Sequence, residues 1–450
     1  MFGVQEVQQL TPTGERNTTV AHRSGSHGFH IPSPAHDAAR GDNVPDAGEQ
    51  RTNWRQGLPT LSGDGLLLRE PTLADASNLA DLVARDIVGC FTHRLPVSTS
   101  GWVQQIQCLR ADRSAGLSVC YVATDERTSE VAGLILVRRL EREFHIAQCE
   151  FLFGAASWLS DLPTTSLEYV LDFAFRDIGL HRLECRSLTA TEEGLLRSLG
   201  FAAEGLLRAA CQRKQGAADQ TIWSLLRVDC QSNPLLPPHR GPVCRQSAES
   251  EVATTDAEEL QPLPTWSTEL PALSGPRVTL REIESADGEA LLRQLEPADI
   301  AVCIEPPPTT GEMFRQYIAW ATSQRALGRA VCFSILVDGD QHPAGLLQVR
   351  SLDPCFAVAE WGAGLARRFR GTGIFAEVMN LIAPFVFDTL GVHRLEARTS
   401  GGNLAAIASL RRLGAVKEAC LRQSFLKDGE YYDDELWAVT DVEWRRGRNG

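Results

Sequence analysis

No run of 18 apolar residues occurs anywhere in the 450-residue sequence. The best candidate, "VMNLIAPFVFDTLGV" (378–392), is broken by Asn380, Pro384 and Asp388, which excludes a membrane-spanning helix. None of the twelve cysteines stands in a C-x-x-C pair; they sit in apolar contexts such as "SVCYVA" and "AVCFSIL". That pattern reads as reduced, buried thiols rather than a disulfide framework or a zinc site, and it predicts a cytoplasmic protein with no metal. Basic charge is outnumbered as well: 44 Lys and Arg stand against 57 Asp and Glu, a net charge of −13. Wholesale binding to nucleic acid or to an anionic membrane needs a basic surface, so neither is expected as a partner. The amino terminus "MFGVQEVQQL" has neither a basic n-region nor an apolar h-region, so no secretory signal is expected. A Gly-Lys-Ser/Thr ending is missing, which removes the Walker A loop.

What is present is a repeat. "LREPTLAD" (68–75) and "LREIESAD" (280–287) agree at five of eight positions, 212 residues apart. "AGLILVRRL" (132–140) and "AGLLQVRSL" (344–352) agree at six of nine, and "GLHRLECR" (179–186) and "GVHRLEAR" (391–398) at six of eight, with the same offset. Beyond these the offset becomes 214, pairing Leu199-Gly200 with Leu413-Gly414, Arg208 with Arg422, Asp219 with Asp433 and Trp223 with Trp437. One domain has been duplicated in tandem. The expected organisation is a disordered segment over 1–60, a first copy over 61–230, a Pro-rich acidic linker over 231–274 and a second copy over 275–445.

Each copy reads as an α+β unit, a mixed and mostly antiparallel sheet with helices on its faces. In the second copy "RVTLREI" predicts a strand, and "SADGEALLRQL" a helix with Ser285 as its N-cap. A second helix is expected near 311–326, followed by three strands in "AVCFSILV", "AGLLQVRSL" and "FAVAEWGAGL". A helix then runs to about 390, with Pro384 forcing a kink or an early break. "HRLEARTS" is the next strand, "NLAAIASLRRL" a helix capped by Asn403 and ended at Gly414, and two further strands close the unit.

The chemistry is concentrated in "RRFRGTGIFAE" (367–377). Gly371 and Gly373 at a strand-to-helix junction leave backbone N–H groups accessible at the positive end of a helix. Arg367, Arg368 and Arg370 add formal charge, so the site suits phosphates. "GTGIFA" fits the G-x-G-x-x-A dinucleotide fingerprint, but it stands about 95 residues into its domain instead of after the first strand. A second pattern, Arg/Gln-x-x-Gly-x-Gly/Ala, is met by Arg368, Gly371 and Gly373 and is followed by a helix, a strand and a helix opened by Asn403. With the cadence "HRLEAR…N…LGA…R…G…D…W", this resembles the GNAT superfamily of N-acetyltransferases, in the branch of the ribosomal-protein N-terminal acetyltransferases (RimJ/RimL type).

The resemblance covers 275–442 well and 62–228 weakly, and it implies two tandem GNAT acyl-CoA N-acyltransferase folds. It implies acetyl-CoA as co-substrate, lying where the sheet splays after its fourth strand. Backbone amides around Arg368, Gly371, Thr372, Gly373 and Ile374 would hold the pyrophosphate, and Asn403 the pantetheine arm. A bulged amide near Ala363 to Leu365 would face the thioester carbonyl. Glu360 is the implied catalytic base, since transfer to an amine needs the amine neutral. Trp361, Tyr431 and Asp433 are candidates for the acceptor pocket, with Asp434 and Glu435 adding negative charge beside them. The general acid that many relatives carry seven residues after the Asn is Leu410 here, and Ser409 is a weak substitute more suited to bonding its own backbone. His181 and His393 have no partner at metal-ligand spacing and read as structural.

In the first copy Ala156, Leu159 and Asp161 stand where the second has Arg368, Gly371 and Gly373. Thr189 replaces Asn403 and Gln148 replaces Glu360, although Glu150 lies two residues away. This copy reads as a degenerate unit that packs on the second or shapes its acceptor cleft. The expected activity is direct acetyl transfer to a primary amine of a small molecule or a protein N-terminus; the alternative is a non-catalytic acyl-CoA-binding protein.

Overall fold

The computed structural model describes residues 53–448 apart from breaks at 85–86, 90, 92–94, 127–129, 141–143, 214–215, 233–238, 244–263, 302, 305–306, 354–355 and 428. The first copy contains strands β1 (Pro59–Gly63), β2 (Leu66–Arg69), β3 (Ile87–Gly89), β4 (Ser118–Asp125) and β5 (Val131–Arg139). Strands β6 (Ile146–Gly154), β7 (Arg182–Ser187), β8 (Ala202–Arg213), β9 (Gly216–Leu226) and β10 (His239–Val243) follow. Its helices are α1 (Ala76–Ala84), α2 (Thr99–Ser114), α3 (Leu162–Phe173), α4 (Ala190–Ser198) and α5 (Arg227–Ser232). The second copy repeats the plan with β11 (Leu273–Ser274), β12 (Val278–Glu282), β13 (Ala330–Val337), β14 (Gly345–Ser351) and β15 (Val358–Leu365). Its sheet is completed by β16 (Arg394–Ser400), β17 (Val416–Lys427) and β18 (Glu430–Thr440). Helices α6 (Asp287–Gln294), α7 (Pro297–Ala301), α8 (Gly311–Ala326), α9 (Ile374–Pro384), α10 (Leu404–Leu413) and α11 (Asp441–Arg448) flank it.

Neighbouring strands pair antiparallel, with one parallel step in each copy, β6 to β7 and β15 to β16. Strand β13 is buried on both faces because helices cover both. Val331, Phe333 and Ile335 meet Val378, Ile382 and Phe385 on one side, while Cys332 meets Phe314, Tyr317 and Ile318 on the other. The first copy packs in the same way: Tyr121 lies edge-on to Phe173 at 5.8 Å, as their counterparts Phe333 and Phe385 do at 5.5 Å. Each such side chain removed from water contributes about 1.5–3 kcal/mol. The mixed sheet with flanking helices, formed twice, agrees with the sequence reading.

Four local expectations need correction. Ser285 does not cap α6; the helix starts at Asp287, whose carboxylate accepts from Glu284 N at 2.9 Å and pairs with Arg281. Pro384 does stand where α9 passes into a widened π-turn (Phe385–Thr389), yet α3 makes the same turn at Ala174–Ile178 without a proline. The turn therefore does not depend on the missing N–H. Residues 239–243 of the expected linker form β10 on β1, and Trp266 and Leu270 are already buried in the second copy's core. Of the segment expected to be disordered, 1–52 lies outside the described residues, while Leu58 is buried and Trp54 packs on Phe144.

The copies join across an approximate two-fold relation. Gly205 of β8 pairs with Ala419 of β17, its own counterpart. An apolar patch of Leu207, Ala210, Ile222, Ala419, Leu421 and Leu436 surrounds the crossing. Charged groups ring the patch. Arg182, fully buried, reaches Glu184 (3.1 Å), Glu204 (2.6 Å) and the carbonyl of Arg422 (2.6 Å). Arg394 repeats this with Glu396 (2.9 Å), Glu418 (2.6 Å) and the carbonyl of Arg208 (2.6 Å). Arg186 bonds Glu396 at 3.4 Å, and Arg398 grips both oxygens of Glu184 at 3.2 Å. Such a network adds little net stability over apolar packing, but losing one partner strands a buried charge, so it fixes how the copies meet.

Candidate active site

Helix α9 starts from a left-handed loop. Gly371 has φ +75° and Gly373, which caps the helix, φ +86°. A Cβ at Gly371 would meet nothing within 4 Å, so backbone conformation demands the glycine and its outer side is open. The amides of Gly371, Gly373, Ile374, Phe375 and Ala376 donate no hydrogen bond among the described residues. Bare donors at a helix's positive end form an anion cradle. The loop is braced from behind: Glu377 accepts from the amides of Arg277 (2.7 Å) and Val278 (3.1 Å), and Thr372 Oγ1 donates to Phe369 O (2.6 Å).

The three arginines differ. Arg370 donates to Leu365 O at 3.0 Å and pairs with Asp299 of α7 at 2.5 Å. Arg368 pairs with Asp340 and Gln294 and covers the Phe369 ring. Arg367 is exposed and makes no ion pair among the described residues, leaving its charge available.

Beside the loop the sheet opens. Strands β15 and β16 pair only at Val358–Arg394, Ala359–Leu395 and Glu360–Glu396, while β15 continues along β14 to Leu365. The peptide edge from Trp361 to Leu365 is thereby released from β16. The expected bulge near Ala363 is not there: the β14–β15 register runs unbroken, so divergence of β16 exposes this edge.

Glu360 stands at the root of the opening. Its Oε2 accepts from Arg350 Nε at 2.8 Å and its Oε1 lies 3.6 Å from Arg398 Nε. Register places Arg398 and Asp434 on the same sheet face, with Asp434 opposite Ser400, level with the open part. The Asp434 side chain is buried and makes no hydrogen bond or ion pair among the described residues. Burial first, then the charges of Glu360 and Glu184, outweigh Arg398 and lift its pKa to about 6. The sequence placed Asp434 only as added negative charge beside the acceptor candidates; the strand register reveals the face it shares with Glu360.

The other predicted residues lie as follows. Trp361 is half-buried and stacked against Phe375 at 6.2 Å, beside the loop. Leu365 is buried at the end of β15. Asn403 caps α10 by accepting from Ala406 N at 3.1 Å. Tyr431 stacks on His181 of the first copy, ring centroids 3.5 Å apart. Asp433 accepts from Gln423 N at 2.9 Å, as its counterpart Asp219 does from Ala209 N at 2.8 Å. These contacts place Tyr431 at the copy interface and tie Asp433 to its own hairpin. Leu410 is in the core, Ser409 bonds the carbonyl of Ala405, and His393 pairs with Asp441. Among the described residues no cluster could hold a metal ion, and no helix is long and apolar enough to cross a membrane.

In the first copy the corresponding opening is closed. Strand β6 pairs with β7 from Ile146 to Cys149, and β3 then pairs with its free edge at Leu152, Phe153 and Gly154. The groove left between α3 and α4, ≈ 250 Å³, is lined by Trp158, Ser160, Pro163, Thr164, Thr191, Gly194, Leu195 and Ser198, with no cation. Gln148 faces Arg138 and Glu184 as Glu360 faces Arg350 and Glu396, so Gln148, not Glu150, is its counterpart.

The Acetyltransferase (GNAT) domain family matches residues 65–193 and again 277–416, together more than half of the chain. The chain belongs to the GNAT acetyltransferase family. The N-acetyltransferase p20 of Bacillus licheniformis, itself uncharacterized, is 25% identical over 169 residues, 37% of this chain and 95% of that protein. The [ribosomal protein uS5]-alanine N-acetyltransferase of Escherichia coli is 29% identical over 87 residues, 19% of this chain and 45% of that enzyme. The solved structure of RimL, a ribosomal L7/L12 alpha-N-protein acetyltransferase in complex with coenzyme A, is 20% identical. It covers 38% of this chain and 98% of its own, with a TM-score of 0.35. The GNAT chain described here is thus a tandem pair with RimJ/RimL-like relatives.

Proposed function

We propose that the second copy is an acetyl-CoA-dependent N-acetyltransferase acting on a primary amine, either of a small molecule or of a protein N-terminus, by direct attack in a ternary complex. The observation that carries this reading is the set of five unpaired amides at 371–376 beside the opening between β15 and β16. Amides of Gly371, Gly373 and Ile374, with Arg367 nearby, suit a diphosphate; the Arg368 side chain would have to leave Asp340 to join them. The free edge Trp361–Leu365 offers donors to a thioester carbonyl, where one oriented N–H lowers the barrier by about 2.7–4 kcal/mol. Asn403, at the start of α10, retains an amide group for the pantetheine arm. Trp361 would line the acceptor side, while Tyr431 and Asp433 would contribute through the hairpin they hold in place.

Glu360 supplies the fixed negative charge that draws a cationic amine toward the opening. A covalent acyl-enzyme is not part of the scheme, since among the described residues no thiol or hydroxyl beside the opening is paired with a base. The test is to incubate the full chain with acetyl-CoA and a panel of simple amines, amino-sugars and peptides with free N-termini, following thiol release. Turnover with at least one amine is expected; coenzyme A binding without turnover on any of them would contradict the proposal.

A further inference from the structure

Two copies of one fold in a single chain provide an internal control. Positions that keep the same residue in both serve what both copies still do, which is to pack on each other. The interface network behaves this way: Arg182 and Arg394, Glu184 and Glu396, Arg186 and Arg398, Glu204 and Glu418, Arg208 and Arg422 are pairs of equivalents. Positions that change together with the loss of the anion cradle belong to the chemistry. Two carboxylates on the network's own face change. Glu360 becomes Gln148, and Asp434, which pairs with Leu421, becomes Gln220, which pairs with Leu207. Gln220 is buried and neither Oε1 nor Nε2 has a partner among the described residues, so the packing described in the first copy calls for no polar group at that point.

The two carboxylates of the second copy are not equivalent. Glu360, the base that the family resemblance implies, is held between Arg350 and Arg398 with both carboxylate oxygens engaged. The Asp434 carboxylate has no hydrogen-bond or ion-pair partner among the described residues and stands level with the open part of the slot, where a thioester would lie. We propose that Asp434 is the catalytic base that takes the proton from the acceptor's ammonium, a role that rests on the acetyltransferase reading. The ammonium gives one proton to the Asp434 carboxylate, and the freed lone pair forms a C–N bond with the thioester carbonyl carbon. The C–S bond then breaks, and the second proton of that nitrogen leaves with the thiolate as coenzyme A thiol, giving the amide. The groups facing Asp434 are Arg398 of β16, Glu360 of β15 and, across the interface, Glu184 and Arg182 of β7. Their balance with burial raises the carboxyl to about 6, matched to a base working near neutral pH. Glu184, from the copy with no cradle, thus helps to set the proton affinity of the other copy's base.

The experiment measures kcat/KM from pH 5 to pH 10 for the full chain, Asp434→Asn and Asp434→Glu, with acetyl-CoA and the best amine of the panel. Coenzyme A affinity by calorimetry serves as the fold control. The unsubstituted protein should gain activity as pH rises through about 6. Asp434→Asn should lose about 100-fold at neutral pH and recover above the amine's own pKa, where no base is needed, with coenzyme A affinity unchanged. Asp434→Glu should restore part of the rate. An Asn variant with an unaltered profile, or with a loss equal at every pH, overturns the role of Asp434 while leaving the transferase reading intact. Absence of turnover in the unsubstituted protein would overturn both.

Discussion

Gly205 and Ala419 face each other across β8 and β17, and each is the other's equivalent in the duplicated unit. The approximate two-fold axis passes between them. A Cβ on Gly205 would lie 2.1 Å from the carbonyl oxygen of Glu418 and 2.7 Å from the Cα of Ala419. Backbone cannot yield as a flexible side chain does, so Gly205→Ala should destabilise the joined copies by about 1–3 kcal/mol. Chemical denaturation of the full chain would check this, and an unchanged midpoint would mean the crossing is loose.

The interface network predicts an acid limit. Burial alone would raise the carboxyls of Glu184 and Glu396, but the arginines around them prevail and both fall to about 2 from an ordinary 4.5. For Glu184 these are Arg398 and Arg182, and for Glu396 they are Arg186 and Arg394. A depressed carboxyl contributes stability that is complete above its unfolded pKa and is lost as pH falls toward the folded value. Unfolding free energy should therefore decline between about pH 4.5 and pH 2. Glu184→Gln should flatten that decline and cost about 3 kcal/mol at neutral pH by stranding Arg398 and Arg182. Urea titrations at stepped pH would show it.

Glu360→Gln copies what the first copy carries at Gln148. It should lower kcat by about tenfold or more while leaving coenzyme A affinity within about twofold. Arg350, freed of its partner, has Arg138 as a precedent, which in the first copy bonds Glu150 at 3.0 Å. Steady-state kinetics beside calorimetry would separate the two effects, and an unchanged kcat would remove Glu360 from the reaction.

Much of this was legible in the sequence. Apolar alternation and turn residues located β13 and the neighbourhood of α8, and Asn403 and Gly414 bound α10 as read. The closure of the first copy was not legible, because a three-residue strand such as β3 is too short to carry a period and acts only through backbone pairing. Asp287 displaced Ser285 at the start of α6 because Arg281 and Ser334 hold its carboxylate, partners that sequence spacing does not display. Asp434 was hidden for a related reason. Its neighbours Glu360, Arg398 and Glu184 come from three other strands, one of them in the other copy.

Coenzyme A titrated calorimetrically into the full chain tests the central claim most directly. One molecule should bind per chain, binding should vanish with Gly371→Asp, and it should persist when Leu159 in the first copy is changed to Asp. No heat with the unsubstituted protein, two molecules per chain, or binding that survives Gly371→Asp would contradict the account.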